Sequence, residues 1–272
     1  MLVDYVINTH QASLHRVCKL MNFSRSVYHY QPLLNDDELI KETLNELVEK
    51  YPRYGFKKLF QKTRQRQFSW NHKRVYRIYC ELGLNLRRKA KKRLPSRNKI
   101  TLAAPEQINI SWSLDFMSDA LLCGRRFRTV NVIDDCNREA LRIKASHSLP
   151  AVRVTAFLDE IACQRGYPLQ LRVDNGPENI SKEMVLWAKQ HGVYIQYIQP
   201  GKPAQNAFIE RFNRTYREEV LDMYLFKNIA EVQVITDKWL QEYNNERPHE
   251  SLGNLTPLGY IKKPLVSTNA LY

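Results

Sequence analysis

Three acidic residues, Asp115, Asp174 and Glu210, stand where carboxylates from different elements can meet. Asp174 ends a short apolar run, and Asn175-Gly176-Pro177 turns the chain directly after it, so Asn175 and Gly176 form a supporting turn. Asp115 lies inside the β-rich segment SWSLDFM with fifty-eight residues between it and Asp174, and thirty-five residues separate Asp174 from Glu210, on the flank of a helical segment. Three carboxylates close in space repel one another strongly, and a cation resolves the repulsion. Mg²⁺ suits such a set because it takes oxygen ligands and keeps several waters. The expectation is a pair of Mg²⁺ ions, with Mn²⁺ as a substitute.

Positioning these acids requires a sheet. Residues 108–117, 126–134 and 140–145 are short, β-rich and closely connected, which predicts a three-stranded antiparallel meander. A helix over 150–165, a strand over 169–173, a helix over 181–191, a strand over 194–198 and a helix from Ala204 to about Tyr224 follow. The order βββαβαβα describes an α/β fold, a five-stranded mixed sheet with flanking helices. In that topology the centre of the first strand and the end of the fourth lie side by side, bringing Asp115 to Asp174. On the last helix Ile209, Phe212, Tyr216 and Val220 share a core face, and Glu210, Arg214 and Arg217 share a second face at its rim. That second face suits a metal ligand backed by phosphate contacts, and equally an ordinary helix salt bridge.

The net charge of +14 is segregated: residues 1–100 hold 22 Lys+Arg against 8 Asp+Glu, and residues 101–272 hold 20 of each. This is the footprint of a polyanion-binding module joined to a neutral one. Residues 1–34 carry two short helical patterns, a possible helix-turn-helix, with Ser24 able to cap the second. Residues 35–86 read as a basic all-α region whose last helix, from Asn71 to Leu82, turns Val75, Ile78, Tyr79 and Leu82 inward and Lys73, Arg74 and Arg77 toward a partner. A short basic helix of this kind suits a DNA major groove. Residues 87–104 read as a linker along phosphates, with Arg87, Arg88, Lys91 and Lys92 its candidate contacts and affinity that falls with salt. Lys202 is a further loop candidate near DNA.

Other classes are disfavoured. No run approaches 18 consecutive apolar residues, which excludes a membrane helix, and the amino terminus lacks the basic-then-apolar order of a secretory signal. Five widely spaced cysteines without a CxxC pair read as reduced and structural, in a cytoplasmic, nucleoid-associated protein. Asp119 and Asp134 read as turn or strand-end residues, His191 and His249 as makers of local hydrogen bonds, and Trp112 as core. Arg247-Pro248-His249 either braces the last helix or touches DNA.

The chain resembles the integrase-core transposases of bacterial insertion sequences of the IS3 type, relatives of retroviral integrases, over nearly its whole length. WSLDF at 112–116, RVDNGPE at 172–178 and PAQNAFIERFNRTYREEVL at 203–221 resemble the three acid motifs, and YNNERPHESLGNLTPLGY at 243–260 the carboxy-terminal signature. RYGFKKL at 53–59 and NHKRVYRIYCELGL at 71–84 resemble the helix-turn-helix region. Phe208, Arg211 and Asn179-Ile180 depart from the usual pattern. The resemblance implies a ribonuclease-H-like catalytic core over 105–265 and two-metal phosphoryl transfer on DNA. One ion on Asp115 and Asp174 would activate water or a 3′-hydroxyl, and a second on Asp115 and Glu210 would stabilise the leaving oxygen. It also implies cleavage at element ends, strand transfer, and a homo-oligomer on DNA. The product looks like a downstream reading frame, with an upstream-frame protein as fusion partner, and no sustained heptad repeat is present. The rival readings are a DNA-binding regulator whose core is unused without that fusion, and a nuclease of RNA–DNA hybrids.

Overall fold

The computed structural model describes residues 2–30, 37–86, 102–199 and 203–262. Three short helices open the chain: α1 (Leu2–His10), α2 (Leu14–Leu20) and α3 (Arg25–Tyr28). Ser13 and Ser24 accept backbone N–H bonds at the starts of α2 and α3, and the Tyr28 hydroxyl donates to Asp4 over 2.6 Å. The first of the three has no counterpart among the expected elements.

A second helical unit follows, built from α4 (Asp37–Lys50), α5 (Phe56–Gln65) and α6 (His72–Glu81). Its core is Ile40, Leu44 and Leu47 of α4, Leu59 of α5, and Val75, Ile78 and Tyr79 of α6, spaced along each helix at three- and four-residue steps. Asn71 caps α6 by accepting from the Lys73 N–H, and Gly83, at φ +67°, closes it in the left-handed region that glycine adopts without strain.

The remaining chain forms a five-stranded sheet of order β3-β2-β1-β4-β5. Strands β1 (Ser111–Ala120), β2 (Arg126–Asp134) and β3 (Ala140–Ser146) are the expected antiparallel meander, and β4 (Gln170–Val173) and β5 (Tyr194–Tyr197) join it in parallel. Alternation sorts β1 into two faces. Trp112 and Leu114 pack under α7 (Ala151–Arg165) and α8 (Lys182–His191). Ser111, Ser113 and Asp115 point to the opposite face, where α9 (Ala207–Tyr216) and α10 (Ile229–Asn245) bury Phe127, Ile133 and Ile143. A last helix, α11 (Pro257–Ile261), packs against α10.

The sequence pattern runs α9 straight on to Tyr224. The helix instead passes into a π-helical turn over Arg217–Leu221, and its core residues Ile209, Phe212, Tyr216 and Val220 are all buried as expected. Helix α10 is also new relative to the expected elements. It lies along β3, the sheet edge, and its side-chain amides take up the free backbone groups there. Asn244 accepts from Ala140 N–H and donates to Ala140 C=O, while Gln233 accepts from Ala145 N–H and donates to Ile143 C=O. An open strand edge is a template for unwanted pairing, and this amide ladder closes it.

The helical unit docks on the sheet domain through the segment after α10. Glu246 accepts from the Tyr51 hydroxyl at 2.6 Å and from the ammonium groups of Lys62 at 3.2 Å and Lys50 at 3.3 Å. Arg247 is buried, pairs with Glu219 of the π turn, and lies against the rings of Tyr54 and Tyr243. The two readings left open for Arg247 are thereby decided in favour of a brace.

Candidate active site

Asp115 is at the middle of β1, opposite Asn131 of β2. Its Oδ1 accepts the Phe116 N–H, and its Oδ2 accepts from the Asn213 amide of α9 at 2.8 Å. Asn213 in turn accepts, through its own Oδ1, from the buried Asn131 amide at 2.7 Å. The relay Asn131–Asn213–Asp115 leaves the carboxylate one rotamer and fixes which end of each amide faces which neighbour. Burial pushes the Asp115 carboxyl up to about 6, and the like charges of Asp174 and Glu210 push the same way, against the bonds from Phe116 and Asn213. The three acids therefore share one electrostatic field.

The parallel pairing of β1 with β4 sets Ser113 beside Arg172, and one further step of two residues on each strand carries the register to Asp115 and Asp174. Asp174 Oδ1 accepts from the Gly176 N–H at 3.1 Å and from the Asn179 amide at 2.7 Å. Its Oδ2 takes no hydrogen bond from any described residue. Gly176 is needed for space rather than for its backbone angle: a Cβ there would stand 3.0 Å from Asp174 Oδ1. Asn175 pins the turn by donating to Ile198 C=O at 2.9 Å. Farther round the turn, Glu178 pairs with Arg128 of β2, whose guanidinium lies 4.7 Å above the Phe116 ring. Burial works upward on Glu178, and the hydrogen bond from Arg128, a backbone bond and the Arg128 charge together outweigh it and hold the carboxyl below its usual range. This pair straps the Asp174 turn across β1.

Glu210 is exposed on the first turn of α9, and Arg214 is exposed four residues on. Arg217 turns elsewhere: it bonds Asp119 at 3.1 Å and the Ser118 carbonyl at 2.8 Å, tying the π turn to the end of β1. Arg217 is thus paired across to β1 and not along the helix with Glu210, which has no ion pair among the described residues. Among the described residues, no group of three or more His, Cys, Asp or Glu is drawn closely enough to hold a metal ion as it stands.

On α6, Lys73 is exposed and has no carboxylate partner among the described residues. Arg74 and Arg77 both pair with Asp37, at 2.8 and 2.9 Å, and Arg77 also pairs with Glu81. The candidates Arg87, Arg88, Lys91, Lys92 and Lys202 lie outside the described residues. Asp119 and Asp134 serve structural ends, Asp134 accepting from the Asn109 and Cys136 N–H groups. Trp112 is fully buried, and His191 stacks on Tyr167 with ring centroids 4.0 Å apart.

Comparison with known proteins fits this geometry. Residues 105–203 and 191–257 match the Integrase core domain family, and residues 35–92 match an HTH-like domain family. A 31.7 kDa protein of insertion element IS407 from Burkholderia multivorans is 38% identical over 256 residues, covering 94% of this chain and 92% of the relative. A 39.2 kDa protein of insertion element IS476 from Xanthomonas euvesicatoria is 37% identical, covering 89% of this chain and 70% of that one. The chain belongs to the IS3-type insertion-sequence transposases. Its fold is that of the ribonuclease-H-like integrase cores: the intasome of simian T-cell lymphotropic virus, solved with the PP2A regulatory subunit B56 gamma, superposes with a TM-score of 0.50 at 13% identity, over 84% of this chain and 78% of that one.

Within this transposase, Asn131, Asn213, Asn179 and the Arg128–Glu178 pair support the site without standing among the residues that the sequence singles out for a role in it. Asn179 carries a signal, since it departs from the family pattern five residues after Asp174. Asn213 carries a fainter one, an amide on the turn of α9 above Glu210.

Proposed function

We propose that the protein is a divalent-metal-dependent polynucleotidyl transferase that cleaves DNA at insertion-element ends and joins the freed 3′-hydroxyl to a target strand. Asp115, Asp174 and Glu210 are the ligands of a Mg²⁺ pair, for which Mn²⁺ can substitute. The observation that carries this reading is the carboxylate of Asp115, held rigid by Asn213 and raised by burial and by its two acidic neighbours. A cation relieves the repulsion that the protein has built in, and the uncommitted Oδ2 of Asp174 offers it a ligand. Bound Mg²⁺ would supply a Lewis acid that lowers the pKa of the attacking hydroxyl and stabilises the leaving oxygen.

The chain's own residues do the positioning. The relay through Asn131 and Asn213 orients Asp115, the Gly176 turn aims Asp174, and α9 presents Glu210 from the solvent side, free to close on the other two. Lys73 and Arg214 contact phosphates. Arg74 and Arg77 join them on the same face of α6, using donors left over from Asp37. DNA is the partner, and handling two element ends calls for more than one copy on DNA.

The test uses the full chain, a duplex carrying an element end, and Mg²⁺. Wild type cleaves and joins strands, and Asp174→Asn and Glu210→Gln each abolish both steps while binding the duplex like wild type. Strand transfer by Asp174→Asn would overturn the assignment. Binding without cleavage by wild type would leave the regulatory reading, and activity restored by fusion to an upstream segment would identify that segment as the missing partner.

A further inference from the structure

A second charged constellation lies beside Glu210 along α9, at the seam with the helical unit. Lys58 of α5, Arg138 of the β2–β3 turn and Arg211 of α9, with the buried Arg247, all act through their charges on the half-buried ring of His249. The Lys58 ammonium stands 4.9 Å from the centre of the Tyr54 ring, and the Arg247 guanidinium stands 5.1 Å from the same ring. Arg138, at φ +61°, folds its guanidinium to 3.5 Å over the Phe208 ring, two residues before Glu210.

Two of the nearby acids are already engaged. Glu219 is taken by Arg247, and Glu250 by Lys57. Lys58, Arg138 and Arg211 have no carboxylate within ion-pair distance among the described residues. Three cations with no carboxylate in direct contact, offset only at a distance by Glu218, Glu219, Asp134 and Asp135, are costly unless an anion joins them. Burial, then Arg247 and Arg211, press the Lys58 ammonium down to about 8, although Glu219 and Glu218 work the other way. Burial and the charges of Arg247, Lys58, Arg138 and Arg211 likewise press His249 down to about 3.

We propose that Lys58, Arg138 and Arg211 bind a DNA backbone phosphate, one residue along α9 from Glu210. This rests on the DNA reading above. Phe208 and Arg211 are two of the positions where the chain departs from the family pattern, and both belong to this site. Contributions from α5, a sheet turn and α9 mean that one phosphate spans both units of the protein. The duplex is then gripped between the helical unit and the acids, and its path into the centre is set by a contact independent of sequence.

The test measures the salt dependence of duplex binding by the full chain. Losing one neutralised phosphate lowers the slope of log K against log salt by about 0.9, so Lys58→Gln with Arg211→Gln, which release the single phosphate held here, should lower it by about 0.9. The same charge removed from α8, as Lys182→Gln with Lys189→Gln on the opposite face of the sheet, should leave the slope unchanged. Lys58→Arg with Arg211→Lys should retain it. Should the double variant fold poorly, Arg211→Gln alone, at an exposed position, should lower the slope in the same direction, by no more than about 0.9. An unaltered slope in these variants, or an equal fall in the α8 variant, overturns the proposal. Inorganic phosphate that raises the melting temperature of wild type but not of the double variant, with DNA slopes equal, would make this a free-anion site and also overturn it. If wild type does not bind the duplex at all, the DNA reading itself falls.

Discussion

Asn213 is the residue through which α9 acts on β1. Its amide is committed at both ends, so replacing it leaves Asp115 Oδ2 and the Asn131 amide without their partner. Asn213→Ala should cost about 1–3 kcal/mol of stability, read from denaturant midpoints. A carboxylate free to rotate is misplaced by about an ångström, which can cost on the order of 100-fold in rate. The expected kinetic signature is a fall in kcat for cleavage with KM for the duplex unchanged, and a matching rise in KM would mean that Asn213 acts on DNA binding instead. At this scale the places of the three acids, on β1, just past β4 and on α9, were legible because an acid at a strand end before a tight turn is unusual, and because the spacing repeats a family motif. The amides around them were not, since nothing in an isolated Asn tells a surface turn from a buried relay until the partner strand is known.

At the scale of elements, the loop after α10 shows how burial sets a titration. His249 sits against Tyr243 with ring centroids 5.0 Å apart, faced by Arg247, Lys58, Arg138 and Arg211. Its folded pKa of about 3 lies below the ordinary 6.5, so between these values the unfolded chain binds more protons than the folded one. Its contribution to stability is therefore complete above 6.5 and is lost as pH falls toward 3. His249→Gln should flatten the acid limb of the stability curve, measured as urea midpoints between pH 7.5 and about 4; parallel curves for the two proteins would show that the ring is solvated and not pressed by its neighbours. Most of the elements themselves were readable: β2 keeps its expected bounds, and Asn71 and Ser181 mark helix starts as expected. Helix α10 escaped because its buried side mixes Thr236 and Asn244 with Val232, Leu240 and Tyr243, which interrupts the apolar stripe. Those polar residues face inward to meet other elements, the Tyr216 hydroxyl and the edge of β3, and their partners lie 20 and 104 residues away.

For the whole molecule, the segregated charge anticipated two units but not how they join. Basic residues of α5 are partly spent on the junction: Lys57 on Glu250, Lys62 on Glu246. Bonds from Tyr51 first, with Lys62 and Lys50 adding, pull the Glu246 carboxyl from the ordinary 4.5 down to about 2, against burial. A depressed folded pKa of this kind contributes stability that is whole above 4.5 and lost as pH falls through about 2. Glu246→Gln should therefore melt below wild type at neutral pH, by a few degrees at about 2–4 °C per kcal/mol, with the gap closing as pH drops from about 5 to 2. A gap that does not change with pH would assign the loss to packing and not to the charge. The π turn adds a constraint of another kind. It amounts to one surplus residue wound into a continuous rod, and that surplus is what swings Glu219 round to Arg247 while Glu210 keeps its outlook toward the acids. Removing a single residue between them would turn everything downstream by about 100°, like a gear slipping one tooth, and the two units would lose their common orientation. The count from Glu210 to Glu219 is thus part of the machinery in its own right, alongside the identities of Phe212, Asn213 and Tyr216 between them.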